Sequence, residues 1–287
     1  MSPLFLLLFA PILLQAPVLP LRIHTLHSVV FNNERSIRVL LPAGYDDAAN
    51  ANRRYPVLYL NDGQNLFDTT TAVFGPTEWQ VDETVALLTS KGRIPALIVV
   101  GIDNGGRGGQ RAHEYLPWAD SHATPPGHPP EGNRYPDFLI NEVMPLIQHH
   151  YRILTGPENT GLGGSSFGSL ISLYTVLAKP GVFGRVLLES TSLWVDDDHA
   201  LRMAAESKKW PDRVYIGVGT NEDSKPGCTT SGVFDAGMVD PSDSLAKLVA
   251  SAKPAPKLQL VVEPCATHSN EAWARRLPGA LTFLYGD

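Results

Sequence analysis

The segment GLGGSSFGSL, residues 161–170, places two adjacent serines among glycines, between a short apolar stretch and an apolar helical pattern. Only Ser166 satisfies the pattern G-x-S-x-G, with Gly164 and Gly168 at the required spacing, because the residue two positions after Ser165 is a phenylalanine. The pattern is typical of a sharp strand-to-helix turn that holds a nucleophilic serine above a sheet, where larger neighbours would collide. The N-terminus of the following helix favours negative charge at this turn. The segment therefore predicts a strand, a nucleophile turn and a helix.

The rest of the chain alternates strand-like and helix-like segments. Apolar runs such as YPVLYL (residues 55–60) and ALIVVGI (residues 96–102) are typical of strands buried on both faces. The alternation predicts a single α/β domain with a mostly parallel central sheet flanked by helices. Residues 103–133 are rich in glycine and proline, and we expect them to form a long irregular loop over the ligand site. Ligands of such sheets bind at the carboxyl ends of the strands.

Composition excludes some classes of function. The 287 residues carry a formal charge of −6 and no cluster of Lys and Arg, which argues against nucleic-acid binding. The chain has two cysteines, Cys228 and Cys265, and no CxxC motif or His/Cys cluster, so we expect neither a metal site nor a cofactor. In an exported protein such a cysteine pair is typical of a disulfide, and in a cytosolic protein of two free thiols.

The N-terminal segment is apolar over residues 4–14, which is too short to span a bilayer. This pattern predicts a signal peptide over residues 1–16, followed by an exported domain over residues 17–287 that has no membrane span. The alternative is an apolar extension packed on the body of a cytoplasmic protein, because no Lys or Arg precedes the apolar run.

A serine hydroxyl needs a base to become a nucleophile, and the base needs an orienting acid. In this architecture the partners follow the serine in the order acid, then histidine. His268 follows the last strand-like segment, whereas the other eight histidines lie earlier. The segment RVYIGVGTNED offers Glu222 and Asp223 as the acid, and Glu222 is preferred because it is nearer to the strand end. More remote alternatives are Asp240 and Asp243.

An oxyanion hole needs two backbone N–H groups. The residue after the nucleophile, Phe167, supplies one. The loop NDGQN after the third strand-like segment is expected to supply the other, from Gln64 or, as an alternative, Asn65. Gly63 allows the backbone to approach closely at this loop, although an ordinary turn after a buried strand explains the glycine equally well.

These motifs together resemble the Putative esterase family of α/β-hydrolases. This esterase D-like group includes feruloyl and acetylxylan esterases, S-formylglutathione hydrolases and enterobactin-type siderophore esterases. The resemblance extends from about Arg22 to Tyr285 and rests on the segments RYPVLYLNDGQNLFD, EWQVDETVALL, EYLPW, RYPDFLINEVMPLI, GLGGSSFGSLISLY, LLESTSLW, GTNED and THSNEAWARRLPGALTFLY. It implies an α/β-hydrolase fold, with Ser166 as nucleophile, His268 as base and a carboxylate of GTNED as the third member. Some siderophore esterases of this group work with a Ser-His pair alone.

The resemblance implies a serine carboxylic ester hydrolase that works through an acyl-enzyme on a small-molecule or carbohydrate ester. The alternatives are an acyltransferase similar to the mycolyltransferases, and a non-catalytic binding protein on the same fold. The segment STSLW is similar to a family stretch that lines the active site. The residues expected to line the substrate pocket are Asn65, Arg111, Tyr115, Ser192 and Trp194, with Glu114 and Trp118 nearby. For Tyr115 and Trp118, anchoring the loop to the body is an equally good interpretation. A bond between Cys228 and Cys265 would tie the acid loop to the histidine loop.

Overall fold

The computed structural model describes residues 18–73, 75–106, 108–229 and 236–286. The signal peptide predicted for residues 1–16 lies outside these ranges. No described helix is both long enough and apolar enough to cross a membrane.

One eight-stranded sheet runs through the described part of the chain. In chain order the strands are β1 (Leu21–Ser28), β2 (Asn33–Leu40), β3 (Val57–Asn61), β4 (Ile98–Ile102), β5 (Thr160–Ser165), β6 (Arg185–Glu189), β7 (Arg213–Gly219) and β8 (Lys257–Glu263). Their spatial order is β1-β2-β4-β3-β5-β6-β7-β8. Strand β2 is antiparallel to both of its neighbours, and every other neighbouring pair is parallel. The predicted single α/β domain with a mostly parallel sheet is confirmed.

Helices cover both faces of the sheet. The described α-helices are α1 (Val81–Ser90), α2 (Gln110–Tyr115), α3 (Tyr135–Phe138), α4 (Met144–His150), α5 (Phe167–Ala178), α6 (His199–Glu206), α7 (Ala236–Ser251) and α8 (Asn270–Tyr285), and a π-helical turn, Leu139–Val143, joins α3 to α4. Successive side chains of a strand point to opposite faces. Accordingly Val57 and Tyr59 of β3 belong to the apolar core with α3 to α7, whereas Leu58 and Leu60 belong to the core with α1 and α8.

One prediction about regular structure was wrong. Residues 103–133 were expected to be irregular throughout, but they contain α2. Its residues QRAHEY follow the glycines rather than being interrupted by them, and its inner face buries Ala112 and Tyr115. Burial of these apolar groups stabilises a helix of only six residues, which local propensity alone would not.

Candidate active site

The serine turn joins β5 to α5 above the carboxyl end of the sheet. Ser166 occupies the position before the first residue of α5 with φ 56° and ψ −126°, a conformation that L-residues rarely adopt. A Cβ at Gly164 would lie 2.8 Å from the carbonyl of Gly168, and a Cβ at Gly168 would lie 2.9 Å from a carboxylate oxygen of Asp62. The Ser166 N–H donates to the carbonyl of Glu189 at 3.0 Å. Close packing on both sides therefore holds this strained turn and explains both glycines of the motif.

His268 and Glu222 lie against each other at the ends of neighbouring strands. His268 Nδ1 is 2.7 Å from Glu222 Oε2, and the Glu222 side chain is 2% exposed. The other oxygen, Oε1, accepts from the Gly219 N–H at 2.6 Å and from the Ser190 hydroxyl at 2.7 Å. Burial alone would raise the pKa of Glu222, but the hydrogen bond and charge of His268, with these two donors, outweigh burial and lower it. Glu222 is therefore an anionic acceptor.

The other predicted acids lie away from His268. Asp223 is 62% exposed and forms an ion pair with Lys225 at 3.0 Å. Asp243 forms an ion pair with Lys247 within α7 at 2.6 Å, and Asp240 is exposed. Of the four carboxylates considered, the structure brings Glu222 to the histidine.

The loop after β3 presents a backbone amide that has no hydrogen-bond acceptor in the described part of the chain. Asp62 has a left-handed conformation, and a 3-10 turn, Gly63–Asn65, follows it. The Asn65 N–H is engaged because it donates to the Asp62 carbonyl at 2.9 Å. The amides of Gln64 and of Phe167, at the start of α5, have no hydrogen-bond acceptor among the described residues. Of the two amides considered in this loop, Gln64 is thus the one available to a ligand.

A cavity of about 670 Å³ lies beside the serine turn. Its wall includes Gln64, Phe167 and Arg111, together with the ion pair of Arg38 with Asp103. Arg111 forms an ion pair with Asp62, a buried residue that does not itself line the cavity. Arg111 donates from Nε and Nη2 to the two oxygens of Asp62, each at 2.8 Å, and its guanidinium lies 5.4 Å from the Phe167 ring centre. Charges of opposite sign are paired in this wall.

Two other predicted pocket residues lie close to the serine turn. The Ser192 hydroxyl is 3.4 Å from the Ser166 hydroxyl. Trp194 is 39% exposed, and its ring centre lies 6.3 Å from that of Phe167. Phe167 therefore lines the cavity and also lies near an exposed indole.

Tyr115 and Asn65, two of the residues predicted to line the pocket, are buried and do not line this cavity. Tyr115 is fully buried, packs edge-on against Tyr135, and accepts a hydrogen bond from the Asp62 N–H at 3.2 Å. Asn65 is buried too, and its side-chain oxygen accepts from the Val73 N–H at 2.8 Å. Packing and hydrogen bonds thus hold both side chains inside the body of the domain.

Glu114 and Trp118, the two loop residues expected near the pocket, anchor the loop to the body of the domain. Glu114 is fully buried in an ion pair with Arg35 at 2.8 Å. Trp118 stacks on His199 with ring centres 4.1 Å apart. These contacts tie residues 103–133 to the body of the domain.

A disulfide joins Cys228 to Cys265 across 37 residues of sequence. Cys228 lies shortly after Glu222 and Cys265 shortly before His268. The Cys265 N–H also donates to Thr220 Oγ1 at 2.8 Å. The segment that follows β7 and contains Glu222 is thus linked, covalently and by hydrogen bonds, to the segment that follows β8 and contains His268.

Sequence reasoning missed four side chains behind His268 and Glu222, namely Glu189, Ser190, Trp273 and Arg276. Ser190 is fully buried and contacts Glu222, Trp273 and Arg276. The signal was present in LLESTSLW, where Glu189 ends a buried strand and Ser190 follows it. A buried charged residue such as Glu189 indicates a partner of opposite charge. That partner is Arg276, which is 87 residues away in the sequence.

Among the described residues, one group of carboxylates has the spacing of metal ligands. Glu78, Asp82 and Glu83 each offer an oxygen within 4.8 Å of the others. Burial raises the pKa of Glu78 to about 7 and is the main cause that raises that of Asp82 to about 6. Acidic clusters are common without an ion, so this group does not define a metal site.

The fold, the serine turn and the His-Glu pair at successive strand ends define a protein of the α/β-hydrolase class. The chain matches the family described as Putative esterase over residues 28–284. It therefore belongs to that family and is a carboxylic ester hydrolase.

Solved structures share this fold. An IroE-like serine hydrolase from Shewanella oneidensis is 23% identical, with a TM-score of 0.70 over 93% of this chain and 80% of that chain. The enterobactin esterase FES from Shigella flexneri is 20% identical, with a TM-score of 0.68 over 94% of this chain and 60% of the esterase. A ferulic acid esterase is 19% identical, with a TM-score of 0.66 over 93% of this chain and 98% of the esterase.

Proposed function

We propose that this hydrolase cleaves its ester through an acyl-enzyme on Ser166, with His268 as general base and Glu222 as the orienting acid. The observation that carries the proposal is the 2.7 Å contact between His268 Nδ1 and a buried, anionic Glu222, at the same edge of the sheet as the strained Ser166 turn. An anionic acceptor at Nδ1 keeps the proton on that nitrogen and leaves Nε2 as the basic atom.

The chemistry follows from these roles. His268 Nε2 takes the hydroxyl proton as Ser166 Oγ attacks the ester carbonyl, and the imidazolium formed is stabilised by Glu222. Collapse of the tetrahedral intermediate breaks the ester C–O bond, and His268 passes the proton to the leaving alcohol. Water then attacks the acyl-enzyme by the same route, which releases the acid and restores Ser166.

The oxyanion is proposed to lie between the amides of Phe167 and Gln64. Both N–H groups lack an acceptor among the described residues, and the Phe167 amide lies at the N-terminus of α5, where negative charge is favoured. Two amides in fixed positions stabilise the charge that develops on the carbonyl oxygen without reorganising when it appears.

We propose an acyl or aryl ester as the substrate, of the siderophore or feruloyl- or acetyl-carbohydrate type. The cavity of about 670 Å³ and the exposed indole of Trp194 flank Phe167, so an aromatic group can be held against either. Two of the similar structures are described with aromatic compounds: a ferulic acid esterase, and an enterobactin esterase in the presence of 2,3-dihydroxy-N-benzoyl-serine.

We also propose that the domain of residues 17–287 is exported after removal of residues 1–16. The disulfide between Cys228 and Cys265 supports this, because such bonds persist in oxidising compartments. Determination of the N-terminal residue of the protein recovered from its native cells tests the proposal, and recovery of an intact Met1 from the cytoplasm would refute it.

The two adjacent serines provide the test of the nucleophile. We expect Ser166→Ala to lower kcat on p-nitrophenyl acetate by at least about 10⁴-fold, because the proposed acyl-enzyme forms on the Ser166 hydroxyl. Ser165→Ala is the matched control and should keep activity within a few-fold. A panel of p-nitrophenyl esters, feruloyl sugars and a tricatecholate ester then identifies the substrate. Turnover by Ser166→Ala close to that of the unmodified enzyme would refute the mechanism.

A further inference from the structure

We propose that Ser190 is a positioning residue, whose hydroxyl is oriented by Trp273 and Arg276 so that it donates to Glu222 and fixes the carboxylate that holds His268. The inference rests on the proposed function and adds to it a residue that makes no contact with the reacting groups. It comes from a buried hydrogen-bond network that the mechanism above does not use.

The direction of each hydrogen bond at Ser190 is determined by its partners. Trp273 Nε1 lies 2.9 Å from Ser190 Oγ, and Arg276 Nη2 lies 3.5 Å from it. An indole N–H and a guanidinium can only donate, so both of these contacts use lone pairs of the hydroxyl oxygen. Its single proton is then directed to Glu222 Oε1, 2.7 Å away. The network has one arrangement of protons, and in that arrangement Glu222 is the acceptor.

Arg276 is held in place by two carboxylates. Its Nε donates to Glu189 at 2.8 Å and its Nη1 donates to Glu263 at 2.8 Å, and its side chain is 3% exposed. Burial raises the pKa of Glu189 to about 7, and the charges of Glu222 and Glu263 add to that rise, while Arg276 opposes it. The guanidinium therefore offsets the charge repulsion among carboxylates that converge behind Glu222.

The backbone of this segment is equally constrained. Ser190 has φ 44°, and its N–H donates to the Gly217 carbonyl of β7 at 2.7 Å. The preceding residue, Glu189, accepts from the Ser166 N–H. Glu189, the last residue of β6, thus contacts the serine turn through the backbone, and Ser190, the residue after it, contacts the acid through its side chain.

These contacts define what Ser190 does. With the donors Gly219 N–H and Ser190 Oγ on Oε1, the Glu222 carboxylate cannot rotate, so Oε2 stays directed at His268 Nδ1. Without the Ser190 hydroxyl, Oε1 of Glu222 loses a hydrogen-bond donor in a buried position. If the carboxylate rotates to find another donor, the hydrogen bond between Oε2 and His268 becomes longer. The loss falls on the step in which imidazolium forms, and not on substrate binding.

Ser190→Ala tests the inference, with Ser242→Ala as the control. Ser242 is also buried, but its hydroxyl donates to the Met238 carbonyl within α7. We expect Ser190→Ala to lower kcat on p-nitrophenyl acetate roughly 10- to 100-fold with KM unchanged, as for loss of one hydrogen bond to a charged group. In the proton NMR spectrum, the downfield signal of the His268 Nδ1 proton should shift or disappear. Ser242→Ala should change neither.

Two results would overturn the inference: kcat of Ser190→Ala within twofold of the control with the Nδ1 signal unmoved, or a change confined to KM. If Ser190→Ala does not fold, Trp273→Phe removes a donor to Ser190 and keeps a ring against His268, and the same two criteria apply to it. The outcome is separable from the proposed function, because activity that is lost in Ser166→Ala but kept in Ser190→Ala refutes only the role of Ser190. The NMR signal is read without turnover, so it decides the inference even if no tested ester is cleaved.

Discussion

The two sides of the Ser166 turn are built differently. On the acid side, β6, β7 and β8 end in a buried network of Glu222, Ser190 and Arg276, closed by a disulfide. On the pocket side, the loops after β3 and β4 and helix α2 form a wall that includes paired charges such as Arg38 with Asp103. The acid side holds one proton arrangement that every ester would use. In the proposed mechanism the substrate binds on the pocket side, so its polar wall can change while the chemistry is kept.

The largest effect is expected on the acid side. Glu222→Gln replaces the acceptor at His268 Nδ1 by an amide that can present its NH₂ group, so the histidine can adopt the wrong tautomer. We expect kcat to fall by about 10³- to 10⁴-fold. Asp223→Asn is the control and should be within a few-fold of the unmodified enzyme, since Asp223 pairs with Lys225 at the surface. Equal losses in the two variants, measured on p-nitrophenyl acetate, would contradict the assignment of the acid.

The disulfide provides the next test, which concerns stability. Cys228→Ser with Cys265→Ser removes a cross-link that closes 37 residues, and we expect the free energy of unfolding to fall by roughly 2–4 kcal/mol. Urea unfolding monitored by circular dichroism measures this. The unmodified protein with reductant should match the double variant. If oxidised and reduced protein unfold at the same urea concentration, the bond does not stabilise the acid side.

A smaller effect is expected on the pocket side. Arg111→Lys cannot make both hydrogen bonds to Asp62, which lies two residues before Gln64. We expect kcat/KM to fall about 10-fold, through a less firmly held Gln64 amide. Arg22→Lys is the matched control, because Arg22 also contacts both oxygens of an aspartate, Asp46, but at the exposed surface. If Arg22→Lys lowers kcat/KM as much as Arg111→Lys does, the effect is not specific to the ion pair beside Gln64.

The smallest effect concerns pH. Glu78 precedes Trp79, whose N–H donates to the carbonyl of Asn65 in the pocket-side loop. Burial raises the pKa of Glu78 from 4.5 to about 7, so the folded state binds the proton of this carboxyl group more tightly than the unfolded state does. This contribution to stability is complete below pH 4.5 and is lost as pH rises to 7. We expect Glu78→Gln to remove that loss, on the order of 1 kcal/mol. Urea unfolding of both proteins at pH 4.5 and pH 8 measures the difference. If the free energy of unfolding of Glu78→Gln changes with pH as much as that of the unmodified protein, the prediction is contradicted.

Local sequence was a good guide to the sheet and to the serine turn. The alternation of apolar strands with amphipathic helices predicted the fold, because strand and helix periods appear in neighbouring residues. The spacing of G-x-S-x-G distinguished Ser166 from Ser165, since the close approach of Gly164 to Gly168 depends on residues four positions apart. Chain order directed attention to His268 and to the segment containing Glu222.

The sequence by itself thus determined the class of fold, the turn at Ser166 and a short set of partners for it. Only the tertiary structure brought Glu222 to His268 while Asp223 pairs with Lys225 at the surface. It also buried Tyr115 in the core and brought Ser190 to Trp273 and Arg276. The physical reason is distance along the chain. Hydrogen-bond donors and acceptors that are 32 to 86 residues apart meet only when the strands are assembled, and which of two adjacent side chains faces inward depends on that packing.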